Sequence, residues 1–169
     1  MRRVFIVALA CLWLVGLSCR ESVAPISVPV QQPDPLIFSG ITGLLSCPVA
    51  TTESAVATIG PEGGTLTVGP HSLRIPAGAL ESDVTISAEA PAGSVVSIVL
   101  QPEGLQFETP ALLTLSYAEC GALRALLLKR IAYTDDALTI LSFIPSWDNL
   151  LARRVTGRLD HFSTYAVAW

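Results

Sequence analysis

The sequence predicts an all-β protein, an antiparallel β-sandwich of about eight to ten short strands behind an N-terminal anchor segment and an extended tether. Three observations carry this. Apolar and polar residues alternate with a period of two in several short runs, the pattern of half-buried strands. Turn chemistry separates those runs at Gly63-Gly64, Gly69-Pro70, Pro91-Ala92-Gly93 and Pro102-Glu103-Gly104. Twelve Gly, twelve Pro and only 14% charged residues suit strands and turns better than helices. The 169 residues are enough for one domain with a sizeable core. The expected division is 1–18 as a signal peptide, 19–57 as anchor and tether, and 58–169 as the sandwich.

The N-terminus has the form of a secretory signal peptide, with Arg2-Arg3 ahead of an apolar run from Val4 to Leu17. That run is 14 residues, shorter than the roughly 20 a spanning helix needs. Leu14-Val15-Gly16-Leu17-Ser18-Cys19 resembles a bacterial lipobox, with Gly16 standing where that motif favours leucine. The resemblance implies that Cys19 is acylated, becomes the first mature residue, and holds the chain to the bilayer. Each buried acyl methylene contributes about 0.8 kcal/mol, so a multiply acylated cysteine holds firmly. The alternative is plain secretion with Cys19 incidental. Arg20 occupies the position where an inner-membrane retention aspartate would stand, which favours the outer membrane if the cell has two. The expected localisation is therefore the cell envelope, facing outside the cytoplasm.

Glu21–Pro35 carries prolines at 25, 29, 33 and 35 and reads as an extended tether. Fully polyproline-like, the 17 residues from Cys19 to Pro35 would reach about 50 Å. Leu36–Leu45 is apolar and broken by Gly40 and Gly43. It is expected to dock on the domain as an irregular segment or strand, or to form a contact patch for a partner. Cys11 leaves with the signal peptide and Cys19 takes the lipid. The remaining thiols, Cys47 and Cys120, suggest a disulfide in an oxidising compartment. The alternative is two unpaired thiols, since spacing does not show that they approach.

Within the domain, Gly63–Leu80 organises the rest. Thr65–Val68 and Leu73–Ile75 form a hairpin around Gly69-Pro70, closed by Pro76-Ala77-Gly78. Asp83–Ala90 follows with Val84, Ile86, Ala88 and Ala90 on one face, and Val95–Leu100 with Val96, Ile98 and Leu100 in phase. Leu105 and Phe107 begin another strand that Pro110 is expected to interrupt before Leu113, Leu115 and Tyr117. Gly121–Arg130 contains good helix formers, but a loop leading into a strand over Leu128–Tyr133 fits better. Thr134-Asp135-Asp136 then turns the chain to Leu138-Thr139-Ile140. Pro145–Asn149 is expected to be a loop, with Trp147 either capping the open end of the sandwich or standing as an exposed anchor. Val155–Trp169 is expected to supply the last hairpin, and His71, after Gly-Pro, to lie on the surface.

Gly63-Gly64, the run Ser72–Leu80 and Gln101–Phe107 followed by Pro110 resemble a ZU-five domain over roughly Thr58 to Trp169. That β-sandwich module occurs in ankyrins, netrin receptors, tight-junction scaffolds and many bacterial surface proteins. It is defined by fold and not by a reaction, so the resemblance implies a β-sandwich and little about function.

His161-Phe162-Ser163 is the one candidate for catalysis. In some ZU-five domains a His-Phe-Ser sequence cleaves itself between Phe and Ser, and the stretch also resembles the proteolysis site of adhesion receptors. The resemblance implies attack of the Ser163 hydroxyl on the Phe162 carbonyl, with His161 taking the proton. The plainer reading makes Ser163–Trp169 an ordinary strand with Tyr165, Val167 and Trp169 on one face. Only seven residues follow Phe162, too short a product for an evident signalling use.

Formal net charge is −4. Loss of Met1–Ser18 removes Arg2 and Arg3 and leaves 8 bases against 14 acids, or −6. An acidic chain argues against nucleic acid, which requires clustered Lys and Arg. The basic pairs Lys129-Arg130 and Arg153-Arg154 read as solvated strand or turn residues. His71 and His161 have no thiol neighbour, so no metal site is expected, and no cofactor motif is present. The expected function is a membrane-anchored envelope lipoprotein with a non-catalytic binding or scaffolding sandwich, its partners the bilayer and an envelope protein. The alternatives are self-processing and a structural stalk or cap in an envelope assembly.

Overall fold

The computed structural model describes residues 43–121 and 127–169. The signal peptide, Cys19, the tether and the segment from Leu36 to Thr42 lie outside these residues, as does the stretch 122–126. Thirteen strands and no helix make up the described residues, more strands than the turn signals alone suggest. In order they are β1 (Ser46–Val49), β2 (Glu53–Ile59), β3 (Gly64–Val68), β4 (His71–Ile75), β5 (Val84–Ala90), β6 (Gly93–Val95) and β7 (Ser97–Gln101). There follow β8 (Gln106–Ser116), β9 (Arg130–Thr134), β10 (Ile140–Phe143), β11 (Ser146–Asn149), β12 (Arg154–His161) and β13 (Thr164–Ala168).

The strands form a six-stranded sheet in the order β10-β9-β13-β7-β5-β2 and a five-stranded sheet in the order β11-β12-β8-β4-β3, with β1 and β6 as a separate pair. All pairings are antiparallel. Two sheets of alternating strands can each bury one face only against the other, which gives the sandwich. The shared core holds Leu66, Val68, Leu73 and Ile75 from the opening hairpin, Ile86 and Ile98 from the facing sheet, and Leu113, Leu115 and Val155 from the centre of the five-stranded sheet. The organising hairpin is as expected, Leu66 opposite Leu73 and Val68 opposite His71. Gly63, at φ 76°, sits where a Cβ would lie 2.5 Å from the Ile75 carbonyl oxygen, so glycine is required there. Strand pairing also reaches N-terminal of Thr58, for β2 lies along β5 from Glu53 opposite Ala90 to Ile59 opposite Val84.

Four expectations are corrected. Pro110 does not interrupt its strand, because β8 runs from Gln106 to Ser116. The β8–β12 register is irregular there, since Leu159 pairs with Ala111 but His161 with Gln106. Extra β8 residues bulge out between those pairs, and a proline without an N–H is tolerated in such a bulge. Ser146–Asn149 is a strand rather than a loop, paired in register with Arg154–Gly157. His71 is buried, 5% exposed, because the Gly69-Pro70 turn starts β4 at His71, in phase with inward Leu73 and Ile75. The chain from Val155 to Trp169 is no hairpin, since β12 and β13 belong to different sheets. β12 already has β11 on one side and β8 on the other. No place beside β12 remains for the next strand, and β13 crosses to the other layer and inserts between β9 and β7.

The described end of the apolar linker docks on the domain. Leu44 bridges to Ala168, Leu45 N–H donates to the Val167 carbonyl at 2.8 Å, and the Leu45 side chain is fully buried.

Candidate functional site

The crossover between the sheets is where His161-Phe162-Ser163 falls. Phe162 is completely buried, with Phe107 edge-on at 5.0 Å between ring centroids. Its N–H donates to the Leu105 carbonyl at 2.8 Å, and the Ser163 carbonyl accepts from Leu100 N–H at 3.1 Å. The chain is therefore clamped on both sides of the Phe162–Ser163 bond. The Phe162 carbonyl accepts from Gly104 N–H at 3.0 Å and lies 3.2 Å from His161 Nδ1. Tyr165 Oη donates to the His161 carbonyl at 2.8 Å, and Tyr133 stands edge-on to the imidazole at 5.1 Å. Burial, then Tyr133 and Asp160, pushes the Tyr165 phenol well above its ordinary value, so it remains a neutral donor.

This arrangement can polarise the Phe162 carbonyl. Gly104 N–H, with His161 Nδ1–H in the matching tautomer, would stabilise negative charge on that oxygen. It does not supply the other half of the reaction. No hydrogen bond joins His161 to the Ser163 hydroxyl among the described residues, and a ring nitrogen donating to the carbonyl cannot also accept the serine proton. The Phe162–Ser163 peptide is trans, and neither residue has a positive φ.

A second cluster, which sequence reasoning missed, joins three segments at the end of the sandwich. Asp148, from β11, accepts from Tyr117 Oη at 2.6 Å and from Lys129 N–H at 2.8 Å. Lys129 is 2% exposed, against the expectation of a solvated residue. Its ammonium donates to the Leu127 carbonyl and lies 5.2 Å from the Tyr117 ring centroid and 5.5 Å from that of Trp169. Burial lowers the Lys129 pKa and Asp148 opposes the shift. Burial foremost, and then Asp148, raises that of Tyr117. The only sequence signal was the absence of a turn glycine around Asp148, which suits a strand.

Beside this cluster, Cys47 of β1 and Cys120 form a disulfide with Cα atoms 5.1 Å apart. It ties the β1–β6 pair to the end of β8, as expected from the two leftover thiols. A cavity of about 180 Å³ opens next to it, lined by Val49, Glu53, His71, Val96 and Tyr117 among others. His71 Nδ1 accepts the Ser116 N–H at 3.1 Å, so the neutral ring carries its proton on Nε2. Burial and then Arg154 hold its pKa below the ordinary 6.5. No group of three His, Cys, Asp or Glu that could hold a metal occurs among the described residues.

Trp147 does not cap the sandwich. It stands 52% exposed on β11, the edge strand of the five-stranded sheet.

A scan of the chain against protein-family models finds no match, and a comparison with curated proteins finds none either.

Proposed function

We propose that this chain is an envelope lipoprotein, held to the bilayer through an acylated Cys19, whose β-sandwich is a non-catalytic binding or scaffolding module. The observation that carries the reading is the Cys47–Cys120 disulfide behind an N-terminus of signal-peptide form. Disulfides persist in oxidising compartments outside the cytoplasm. The experiment is fractionation of bacteria expressing the full chain or Cys19→Ala, with intact mass of the extracted protein. The expected result is a membrane-bound wild type starting at Cys19 and bearing acyl mass, and a Cys19→Ala chain without it. Wild-type protein in the soluble fraction with an unmodified Cys19 overturns the anchor.

The polarised Phe162 carbonyl favours a second reading, self-cleavage. In it the Ser163 oxygen bonds to the Phe162 carbonyl carbon, the C–N bond breaks, the amine leaves protonated, and water hydrolyses the ester. The same mass spectrum decides it. Loss of Ser163–Trp169 under denaturing conditions, abolished by Ser163→Ala, supports cleavage, and an intact C-terminus overturns it.

A further inference from the structure

The outer face of the five-stranded sheet has a composition unlike the rest of this acidic chain. Val155, Gly157 and Leu159 of β12 are buried, so Arg154, Thr156 and Arg158 face outward. Register then lays one row of side chains across all five strands. Trp147 is opposite Thr156, Thr156 opposite Thr114, Thr114 opposite Ser72, and Ser72 opposite Thr67. The Thr114 and Thr156 hydroxyls are 2.9 Å apart, which confirms that they share the face. Four gaps between strands make the row about 19 Å long, at roughly 4.8 Å per gap.

Arginines flank that row on both sides. Arg154 lies in the register row with Asn149 and Ser116, and Arg158 and Arg74 lie in the row on the other side, each opposite Leu112. All three are exposed, and none of their guanidinium groups makes a hydrogen bond or ion pair among the described residues. No Asp or Glu projects from these three rows. Asp148 is turned onto Tyr117 and Lys129, while Asp160 and Glu108 lie beyond Arg158 toward the irregular end of β8.

We propose that this face binds an anionic polysaccharide, which names the ligand class of the binding module and rests on that reading. A hydroxyl both donates and accepts, so a row of them matches the hydroxyls of a sugar chain. An exposed indole at the end of the row offers a flat apolar surface for a sugar ring. Unpaired guanidinium groups bind carboxylate or phosphate oxygens in bidentate fashion. Three positive charges gathered on one face of a net-acidic chain give charge complementarity to a polyanion. The one leucine in these rows, Leu112 of β8, is half-buried, so the rows offer no exposed aliphatic chain for insertion into lipid.

The test uses the full chain extracted in detergent, with polygalacturonate as the probe and neutral dextran, polyglutamate and anionic vesicles as comparisons. Retardation in gels containing the polymer reads affinity. Polygalacturonate is expected to bind in preference to all three comparisons. Trp147→Ala should weaken it about tenfold, and Arg74→Gln with Arg158→Gln by more than tenfold, with a shallower salt dependence. Arg130→Gln, on the other sheet, should leave it unchanged. Unchanged melting temperatures and the conservative Trp147→Phe, expected to restore most binding, separate loss of contact from loss of fold. Equal binding to dextran, equal binding to polyglutamate, preference for vesicles, or no binding at all each overturns the proposal. The anchored-module reading is decided separately by the Cys19 fractionation, so the two can fail independently.

Discussion

Removal of the disulfide by Cys47→Ala with Cys120→Ala tests how the β1–β6 pair is held. Those two strands form their own sheet, and the Cys47–Cys120 bond anchors it across a sequence separation of 73. In the chain-entropy account, closing a loop of that length lowers the entropy of the unfolded chain by about 15 cal/mol/K, or about 4.4 kcal/mol at 25 °C. Domains are commonly stable by about 5–15 kcal/mol, so this is a large share. Urea denaturation of oxidised wild type and of the double variant measures it. With a slope near 2 kcal/mol/M, the midpoint should fall by about 2 M. The slope itself should rise, because an unfolded chain freed of its cross-link exposes more surface. A midpoint shift under about 0.5 M with an unchanged slope would refute the reasoning. It would mean that β1 detaches before the sandwich unfolds, or that the unfolded chain is already compact.

Further outcomes follow from single side chains. Asp148→Ala leaves the buried Tyr117 hydroxyl and the Lys129 N–H without their acceptor and should cost about 2–5 kcal/mol by urea denaturation, with Asp148→Asn less damaging. His71 has its folded pKa below 6.5, so the unfolded chain binds more protons as acidity rises. Its contribution is intact above about pH 6.5 and is lost as pH falls below it, and His71→Gln should flatten that part of a melting-temperature profile. Gly157→Val should destabilise by about 2–3 kcal/mol, because a Cβ there would lie 2.6 Å from Ile144 Cδ1 and 3.0 Å from Ile131 Cδ1. Gly157→Ala should cost less, since those two methyl ends can rotate away. Thermal melts of the pair check the order.

Sequence alone determined the strands that bury one face. Thr65–Val68, Leu73–Ile75 and Val84–Ala90 alternate so regularly that their inward residues could be named, and the Gly63-Gly64 and Gly69-Pro70 turns fixed where they begin and end. Local chemistry suffices there, because a one-residue slip would turn every buried side chain to water. The bridging cysteines were also legible by elimination within the chain. What only the tertiary structure decided is which strands become neighbours. Val155–His161 and Thr164–Ala168 read as a hairpin because adjacency in sequence favours pairing, yet β8 and β11 occupy both sides of β12 and exclude it, and the chain changes layers at Phe162-Ser163. That same crossing brought Gly104 to the Phe162 carbonyl, and the stacking of the layers buried His71 and Lys129. The row from Trp147 to Thr67 draws one residue from each of five strands, and it exists only because long-range pairing sets them in register.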